Sequence, residues 1–308
     1  MNLQQLEYIV ALNKHRHFGR AAESCSVSQP TLSTMVQKLE EELGVRLFER
    51  SRVSVVPTNV GVRIVEQAEQ ILHQTSILSE IIHNESSTVA GTLNLSVIPT
   101  VAPYLIPLIA PILAEKLPEL KVNFHEYITS ESLEALKEHS IDIAIVADNE
   151  ETRKFALTPL YFEEFFPYIS PNEPLFGEKH IRSSQVHPDR LWLLDEGHCF
   201  RDQLLRFCQI KRESNPSHSY RHGSLQTFMN MVERGNGMTI IPELALQYVS
   251  EENHKLVRHF AIPRPCRAIS LCTNADYARV TLVQVLADLI RSAVPDEMLR
   301  IKPTQQLM

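Results

Sequence analysis

The sequence lacks a long uninterrupted hydrophobic run, has few cysteines, and carries no signature of a metal or phosphate site. Each absence removes a class of protein. The most apolar stretch is broken by Pro103, Pro107 and Pro111, so it falls short of the roughly 20 residues a spanning helix needs. No membrane association is expected. The opening Met1-Asn2-Leu3-Gln4-Gln5-Leu6-Glu7 has no basic region followed by an apolar run, so a signal peptide is not expected and the chain should be cytoplasmic. In that compartment five cysteines (25, 199, 208, 266 and 272) are reduced by default, and an odd count fits poorly with a structural disulfide framework. No CxxC, HExxH or glycine-rich phosphate loop occurs, and the 13 histidines show no ligand spacing with the cysteines. Neither a metal nor an organic cofactor is expected.

At 308 residues, 44% hydrophobic and 22% charged, the chain can bury a sizeable core and form two or three compact units. A net charge of −7 opposes indiscriminate binding to nucleic acid. Its distribution is uneven: residues 1–60 hold seven Lys/Arg and six Asp/Glu. The first segment can therefore approach phosphate while the remainder is repelled by it.

Leu3, Leu6, Ile9, Val10 and Leu12 recur at helical spacing and predict a first helix to about Lys14. Phe18 to Cys25 reads as a short second helix whose Ala21-Ala22 pair permits close packing. After the tight Ser26-Val27-Ser28 connection, Ser28 can cap a third helix with Pro30 in its first turn and Gly44 stopping it after Leu43. Leu32, Met35, Val36, Leu39 and Leu43 form its inner stripe. Gln29, Pro30, Thr31, Ser33, Thr34 and Lys38 are left as the DNA-reading set. This is the pattern that helix-turn-helix docking in a major groove requires. Arg50 and Arg52 flank the start of a short alternating stretch, Val53 to Pro57, suited to a wing that meets backbone phosphates. Thr58 can cap a long helix over about 59–85. Its stripe of Val65, Ala68, Ile71 or Leu72, Thr75, Leu78 and Ile82 predicts a dimerising linker.

These residues resemble the LysR-type transcriptional regulators. The resemblance is carried by Phe18-Gly19-Arg20-Ala21-Ala22, Ser28-Gln29-Pro30-Thr31-Leu32-Ser33, Lys38-Leu39-Glu40, Leu43-Gly44-Val45 and Leu47-Phe48-Glu49-Arg50. It implies a DNA-binding domain over 1–58, a linker helix over 59–88 and a regulatory domain over 89–308. It also implies head-to-head dimers that assemble into tetramers on promoter DNA, with RNA polymerase as a further partner.

Beyond a small-residue hinge at 86–91, strands and helices alternate. Leu93–Ile98, Val122–His125 and Ile141–Val146 read as strands, with helices at about 102–115 and 132–137 between them. Such alternation indicates a parallel α/β sheet with helices on its faces. A second set comprises a strand at Leu191–Leu194, a helix near 200–209, a helix from Leu225 to Arg234 capped by Ser224, and a strand at Met238–Ile241. Crossing segments near 158–170 and 267–273, and a last helix over 277–293, complete two α/β lobes. The expected fold is thus a winged helix-turn-helix, a linker helix and a two-lobed periplasmic-binding-protein-like domain. Thr100 and Thr129 follow the first two strands, where such sheets bind ligands.

The segment Asp195-Glu196-Gly197-His198-Cys199-Phe200-Arg201-Asp202-Gln203 places a cysteine where a strand gives way to a helix. A thiol at a helix N-terminus beside His198 and Arg201 should have a lowered pKa. Read alone, Cys199 and Cys208 could equally be small core residues, and Thr100 and Thr129 could be helix caps. Cys25, Cys266 and Cys272 read as structural. The motif Gly197-His198-Cys199-x-Arg201-Asp202-Gln203 with Phe207-Cys208 is similar to the peroxide-sensing branch of the family. Ile98-Pro99-Thr100-Val101, Asn230-Met231-Val232 and Arg234-Gly235-x-Gly237 agree with it.

That resemblance implies that hydrogen peroxide oxidises Cys199 and that Cys208 closes a disulfide, later reopened by cellular reductants. It further implies that Thr100, Thr129, His198, Asp202 and Gln203 hold peroxide and water, with Arg267 supporting the thiolate. Spacing slips by one residue over 217–222, so the pattern does not assign His218 a role. Two other functions compete: a LysR-type regulator that binds a metabolite between the lobes, and a thiol peroxidase or solute-binding enzyme. The helix-turn-helix argues against the second, and no enzymatic turnover is expected.

Overall fold

A computed structural model describes residues 1–50, 55–84, 89–194, 199–209 and 224–308. The chain divides into two compact units, Met1–Ser87 and Thr88–Met308.

In the first unit, α1 (Leu3–His15) starts where Asn2 and Gln5 exchange side-chain and backbone hydrogen bonds of 2.9 and 3.0 Å. α2 (Phe18–Ser24) is capped by His17, whose Nδ1 accepts from the Gly19 amide at 3.0 Å. α3 (Gln29–Leu43) opens with Ser28 Oγ accepting from the Thr31 amide at 3.3 Å and Pro30 in the first turn. It ends at Gly44, whose φ of +69° is the left-handed conformation that favours glycine. β1 (Phe48–Arg50) and β2 (Val55–Pro57) pair antiparallel as the wing. α4 (Asn59–Asn84) is capped by Thr58, whose Oγ1 accepts from the Gly61 amide at 2.9 Å. Gly61 lies so close to the backbone just before β1 that a Cβ there would stand 1.9 Å from the Leu47 carbonyl oxygen.

The core of this unit gathers Leu6, Ile9 and Leu12 of α1, Ala21 and Ala22 of α2, and Leu32, Val36 and Leu39 of α3. Two expectations change. Leu3 is exposed rather than part of the inner stripe, and the buried face of α1 begins at Gln5 and Leu6. Val65 and Ala68 of α4 are buried within this same core, so the first half of the long helix packs on its own unit. The side chains of Leu78 and Ile82 lie outside the described residues.

The second unit opens with β3 (Gly91–Val97), α5 (Ala102–Lys116), β4 (Leu120–Glu126), α6 (Thr129–Lys137) and β5 (Ile143–Ala147). The three strands are parallel in the order β4-β3-β5, the expected first lobe. Helix α5 runs on through Pro107 and Pro111. Together with Pro103 they face solvent at four-residue spacing, while Leu105, Ile109 and Leu113 face the core.

β6 (Ala156–Ile169) carries the chain into a second lobe of β7 (His180–Ile181), α7 (Cys199–Phe207), α8 (Leu225–Glu233), β8 (Met238–Pro242) and β9 (His259–Phe260). β10 (Arg264–Thr273) returns to the first lobe, and α9 (Val280–Ala293) and β11 (Gln305–Leu307) close the chain. β6 and β10 are antiparallel and cross between the lobes. The end of β6 pairs with β8, and the end of β10 pairs with β5. Two lobes joined by crossing strands make the periplasmic-binding-protein-like architecture.

The expected strand at 191–194 reduces to a single bridge from Leu191 to Met238. The Trp192 carbonyl accepts from Thr239 Oγ1 at 3.0 Å, so a side chain ends the ladder after one step. Ser224 caps α8 as anticipated, its Oγ accepting from the Thr227 amide at 3.2 Å. The two-residue β7–β9 pair and β11, which extends β10 in parallel, were not expected. Among the described residues, no helix is long and apolar enough to cross a membrane.

Candidate functional site

The crossing strands place Arg267 directly opposite Glu163, one from β10 and the other from β6. Both side chains are wholly buried. The guanidinium donates from Nε to Glu163 Oε2 at 2.6 Å, and its Nη2 lies 2.5 Å from the same oxygen. Nη1 donates to Thr100 Oγ1 at 2.9 Å and Nη2 to the Thr100 carbonyl at 3.4 Å. Thr100 stands in the turn between β3 and α5, so the first lobe supplies two acceptors. The second lobe supplies two aromatic faces. The guanidinium carbon lies 5.0 Å from the ring centre of Phe200 and 5.4 Å from that of Phe165, within cation–π range. The two rings meet edge to face at 4.9 Å.

An isolated buried charge is costly, and this pair shows how the cost is reduced. Burial raises the pKa of Glu163, and Arg267 opposes that rise. Glu163 Oε1 has no hydrogen-bond partner among the described residues, nor does the Tyr161 hydroxyl. Burial raises the pKa values of Tyr104 and Tyr161, with the charge of Glu163 adding to the effect.

α7 begins at Cys199, one residue before Phe200, and ends one residue before Cys208. Phe200, Leu204 and Leu205 are buried along it. Gln203 is buried as well, its Oε1 without a partner among the described residues. Arg201 Nη1 donates to the Leu194 carbonyl at 3.0 Å, which holds that guanidinium on the backbone before the helix. Asp202 sits in the first turn, and its carbonyl accepts from Arg206 Nε at 3.2 Å. Cys208 is buried, and desolvation pushes its thiol up to about 12. Cys266 is pushed up to about 11 and Cys272 to about 12, both mainly by burial. Cys25 is half-buried.

Thr129 is the first residue of α6 and buried. Neither Thr100 nor Thr129 is the residue before its helix, so neither is an N-cap by position; those places belong to Val101 and Ile128. His198, His218 and the side chain of Cys199 lie outside the described residues.

Sequence reasoning thus named Thr100 and Arg267, which the fold brings into contact, and missed Glu163, Phe165 and the interaction of Phe200. A signal for Glu163 was present: Glu163-Glu164 interrupts an apolar crossing segment, and Arg267 lies in the other. A carboxylate in such a run calls for a buried counter-ion.

In the first unit Gln29, Pro30, Thr31, Thr34 and Lys38 are exposed on α3, and Ser33 is half-buried. Ser28 Oγ and Thr31 Oγ1 are 2.8 Å apart at the start of that helix. Arg50 ends β1, while Arg52 and the side chain of Arg50 lie outside the described residues.

Two family descriptions match the chain. Residues 3–62 match "Bacterial regulatory helix-turn-helix protein, lysR family", and residues 86–295 match "LysR substrate binding domain". The "Hydrogen peroxide-inducible genes activator" of Haemophilus influenzae is 38% identical over 299 residues, covering 96% of this chain and 97% of that one. A full-length OxyR from Pseudomonas aeruginosa with a cysteine-to-aspartate change is 36% identical, with a TM-score of 0.76 over 94% of this chain and 98% of that chain. A cysteine-to-serine variant of OxyR from Corynebacterium glutamicum, solved with H2O2 bound, is 29% identical with a TM-score of 0.63, covering 95% and 92%.

Proposed function

The chain belongs to the LysR family of bacterial regulators, and we propose that it is a cytoplasmic, peroxide-sensing DNA-binding regulator switched by a Cys199–Cys208 disulfide. The observation that carries this reading is a cysteine at the head of α7, followed by an aromatic ring stacked on a buried arginine, with a second cysteine at the helix's far end. The names of the peroxide-inducible activators to which the chain is similar support the same reading.

In the first step the Cys199 thiolate attacks one oxygen of hydrogen peroxide. The O–O bond breaks, sulfur is oxidised to sulfenic acid, and the other oxygen leaves as hydroxide that takes up a proton. Thr100, Thr129, His198, Asp202 and Gln203 are the residues proposed to hold peroxide and water. In the second step the Cys208 sulfur attacks the sulfenic sulfur; the S–S bond forms and water leaves. A cellular dithiol reverses the change by exchange. The burial of Cys208, Cys266 and Cys272 raises their pKa values and keeps those thiols in the less reactive protonated form at neutral pH. Each disulfide is formed once per switch, so the chemistry is sensing rather than turnover.

The polar face of α3 (Gln29, Thr31, Ser33, Thr34 and Lys38, with Pro30 shaping its first turn) reads promoter DNA, and Arg50 and Arg52 hold phosphate. The protein works as a dimer that assembles further, and the remodelled regulatory surface changes the spacing of the heads and their engagement of RNA polymerase.

The test is substoichiometric peroxide on reduced full-length protein, with thiols mapped by mass spectrometry and operator footprints taken before and after. Oxidation at Cys199, then a bond to Cys208 and an altered footprint, are expected. First oxidation at Cys25 or Cys272, or an unchanged footprint with the disulfide formed, would refute the reading.

A further inference from the structure

We propose that Glu163 is a positioning residue for the sensing reaction: it is the counter-ion that holds Arg267 across the lobe hinge and limits how much of its positive charge reaches the thiol at the head of α7. The inference rests on the reading of Cys199 as the reactive thiol.

Geometry carries the argument. Glu163 and Arg267 face each other on the two strands that pass between the lobes, and two guanidinium nitrogens share one carboxylate oxygen. The remaining contacts of Arg267 reach Thr100 in one lobe and Phe200, the neighbour of Cys199, in the other. Arg267 is therefore aimed by Glu163 while it touches the turn and the helix assigned to peroxide chemistry. A buried guanidinium paired with a carboxylate is close to neutral when seen from a third group. The same guanidinium with a neutral amide partner presents its whole charge and favours a nearby thiolate.

The groups facing the pair are Tyr161 from β6, Tyr104 from α5, and Glu243 with the Leu244 amide from the turn after β8. Of these, Glu243 adds to the burial that raises the Glu163 pKa, and the Leu244 amide opposes it. Burial works against the charged form of Glu163, and Arg267, which touches its carboxylate, is the main group that favours it.

The experiment measures the rate of Cys199 oxidation by hydrogen peroxide against pH in the full chain, for wild type and Glu163→Gln. The glutamine oxygen can still accept from Arg267 Nε, so aim is kept while the charge is removed. The midpoint of the profile is expected to fall by about one pH unit, making oxidation about tenfold faster below the wild-type midpoint, with the high-pH plateau nearly unchanged. Glu163→Asp withdraws the carboxylate by one methylene and is expected to give a smaller shift the same way; it serves where the glutamine variant does not fold. Because Tyr104, Tyr161 and Glu243 also face the pair, the series is repeated in Arg267→Gln. There Glu163→Gln should move nothing.

A midpoint that is unmoved or raised in both Glu163 variants would overturn the inference, as would a shift that persists without Arg267. A purely structural role would lower the plateau and leave the midpoint in place. If wild-type Cys199 is not oxidised at all, the sensing reading itself fails, which is a separate outcome.

Discussion

Disulfide formation between Cys199 and Cys208 should unwind α7, and the scale of that event follows from the helix. α7 spans Cys199–Phe207, and Cys208 continues its ladder by donating its amide to the Leu204 carbonyl at 2.9 Å. Nine steps at 1.5 Å separate the two Cα atoms by about 13 Å along the axis, and turn through roughly 900°, which puts the side chains on opposite faces. A disulfide needs Cα atoms within about 7 Å. The bond cannot close on the intact helix.

Unwinding exposes what α7 buries. Phe200, Leu204 and Leu205 leave the core, and each fully buried side chain of this size contributes about 1.5–3 kcal/mol. The three together are worth roughly 5–9 kcal/mol, an upper figure because the oxidised segment can repack. Phe200 also gives up its edge contact with Phe165 and its place over Arg267, and Phe207 gives up an edge contact with Phe260 at 5.1 Å. The same change brings Cys208 toward solvent, where its pKa returns from about 12 toward the ordinary thiol value and the resolving attack becomes possible. Hydrogen exchange read by mass spectrometry on peptides covering 195–215 tests this in reduced and oxidised full-length protein. Protection of the 200–208 amides should fall by several orders of magnitude on oxidation. Unchanged protection, with the disulfide confirmed in the same sample, would refute the helix argument.

Thr100→Val removes the hydroxyl that accepts from the buried Arg267, so stability should fall by about 1.5–3 kcal/mol while Thr100→Ser stays near wild type. Urea denaturation decides it, and equal stability of the two variants would show that the Thr100 carbonyl alone satisfies the guanidinium. For DNA, Gln29 or Ser33 replacement should relax sequence preference, whereas Arg50→Ala should weaken all sequences and lower the slope of log K against log salt by about 0.9 for each phosphate no longer neutralised. Fluorescence anisotropy on operator and scrambled duplexes separates the two, and a uniform weakening by Gln29→Ala would contradict the reading role. Stability should also fall as pH rises above about 9. The folded pKa values of Cys208 (about 12), Cys266 (about 11) and Cys272 (about 12) are raised, so the unfolded chain releases protons first. Each thiol then costs about 1.4 kcal/mol by pH 10. Flat denaturation midpoints of the reduced protein between pH 8 and 10 would mean those thiols are more hydrated than their burial indicates.

What the sequence disclosed depended on how local its cause was. α3 could be read to its ends because Ser28, Pro30 and Gly44 act within one turn of where they stand. β3, α5, β4, α6 and β5 were legible because each is long enough to show its own period or apolar run. The segment at 191–194 was apolar enough to suggest a strand, yet its ladder stops where the Thr239 hydroxyl takes the Trp192 carbonyl, a contact made 47 residues away. β7, β9 and β11 are two or three residues long, and nothing local distinguishes them from loop; their pairing is set by where the lobes bring them. The same holds for Glu163. Its partner lies 104 residues on, and the facing of the two depends on a register that shifts once along the pair, between Ile269 and Ser270. A slip of one residue would place Glu164 opposite Arg267 and turn Glu163 to the other face of the sheet. Motif reading could therefore name the thiols and the arginine, because those residue types stand out where they occur. The charge that Arg267 offers to any neighbour is fixed by strand register, and it becomes visible only once the crossing strands are in place.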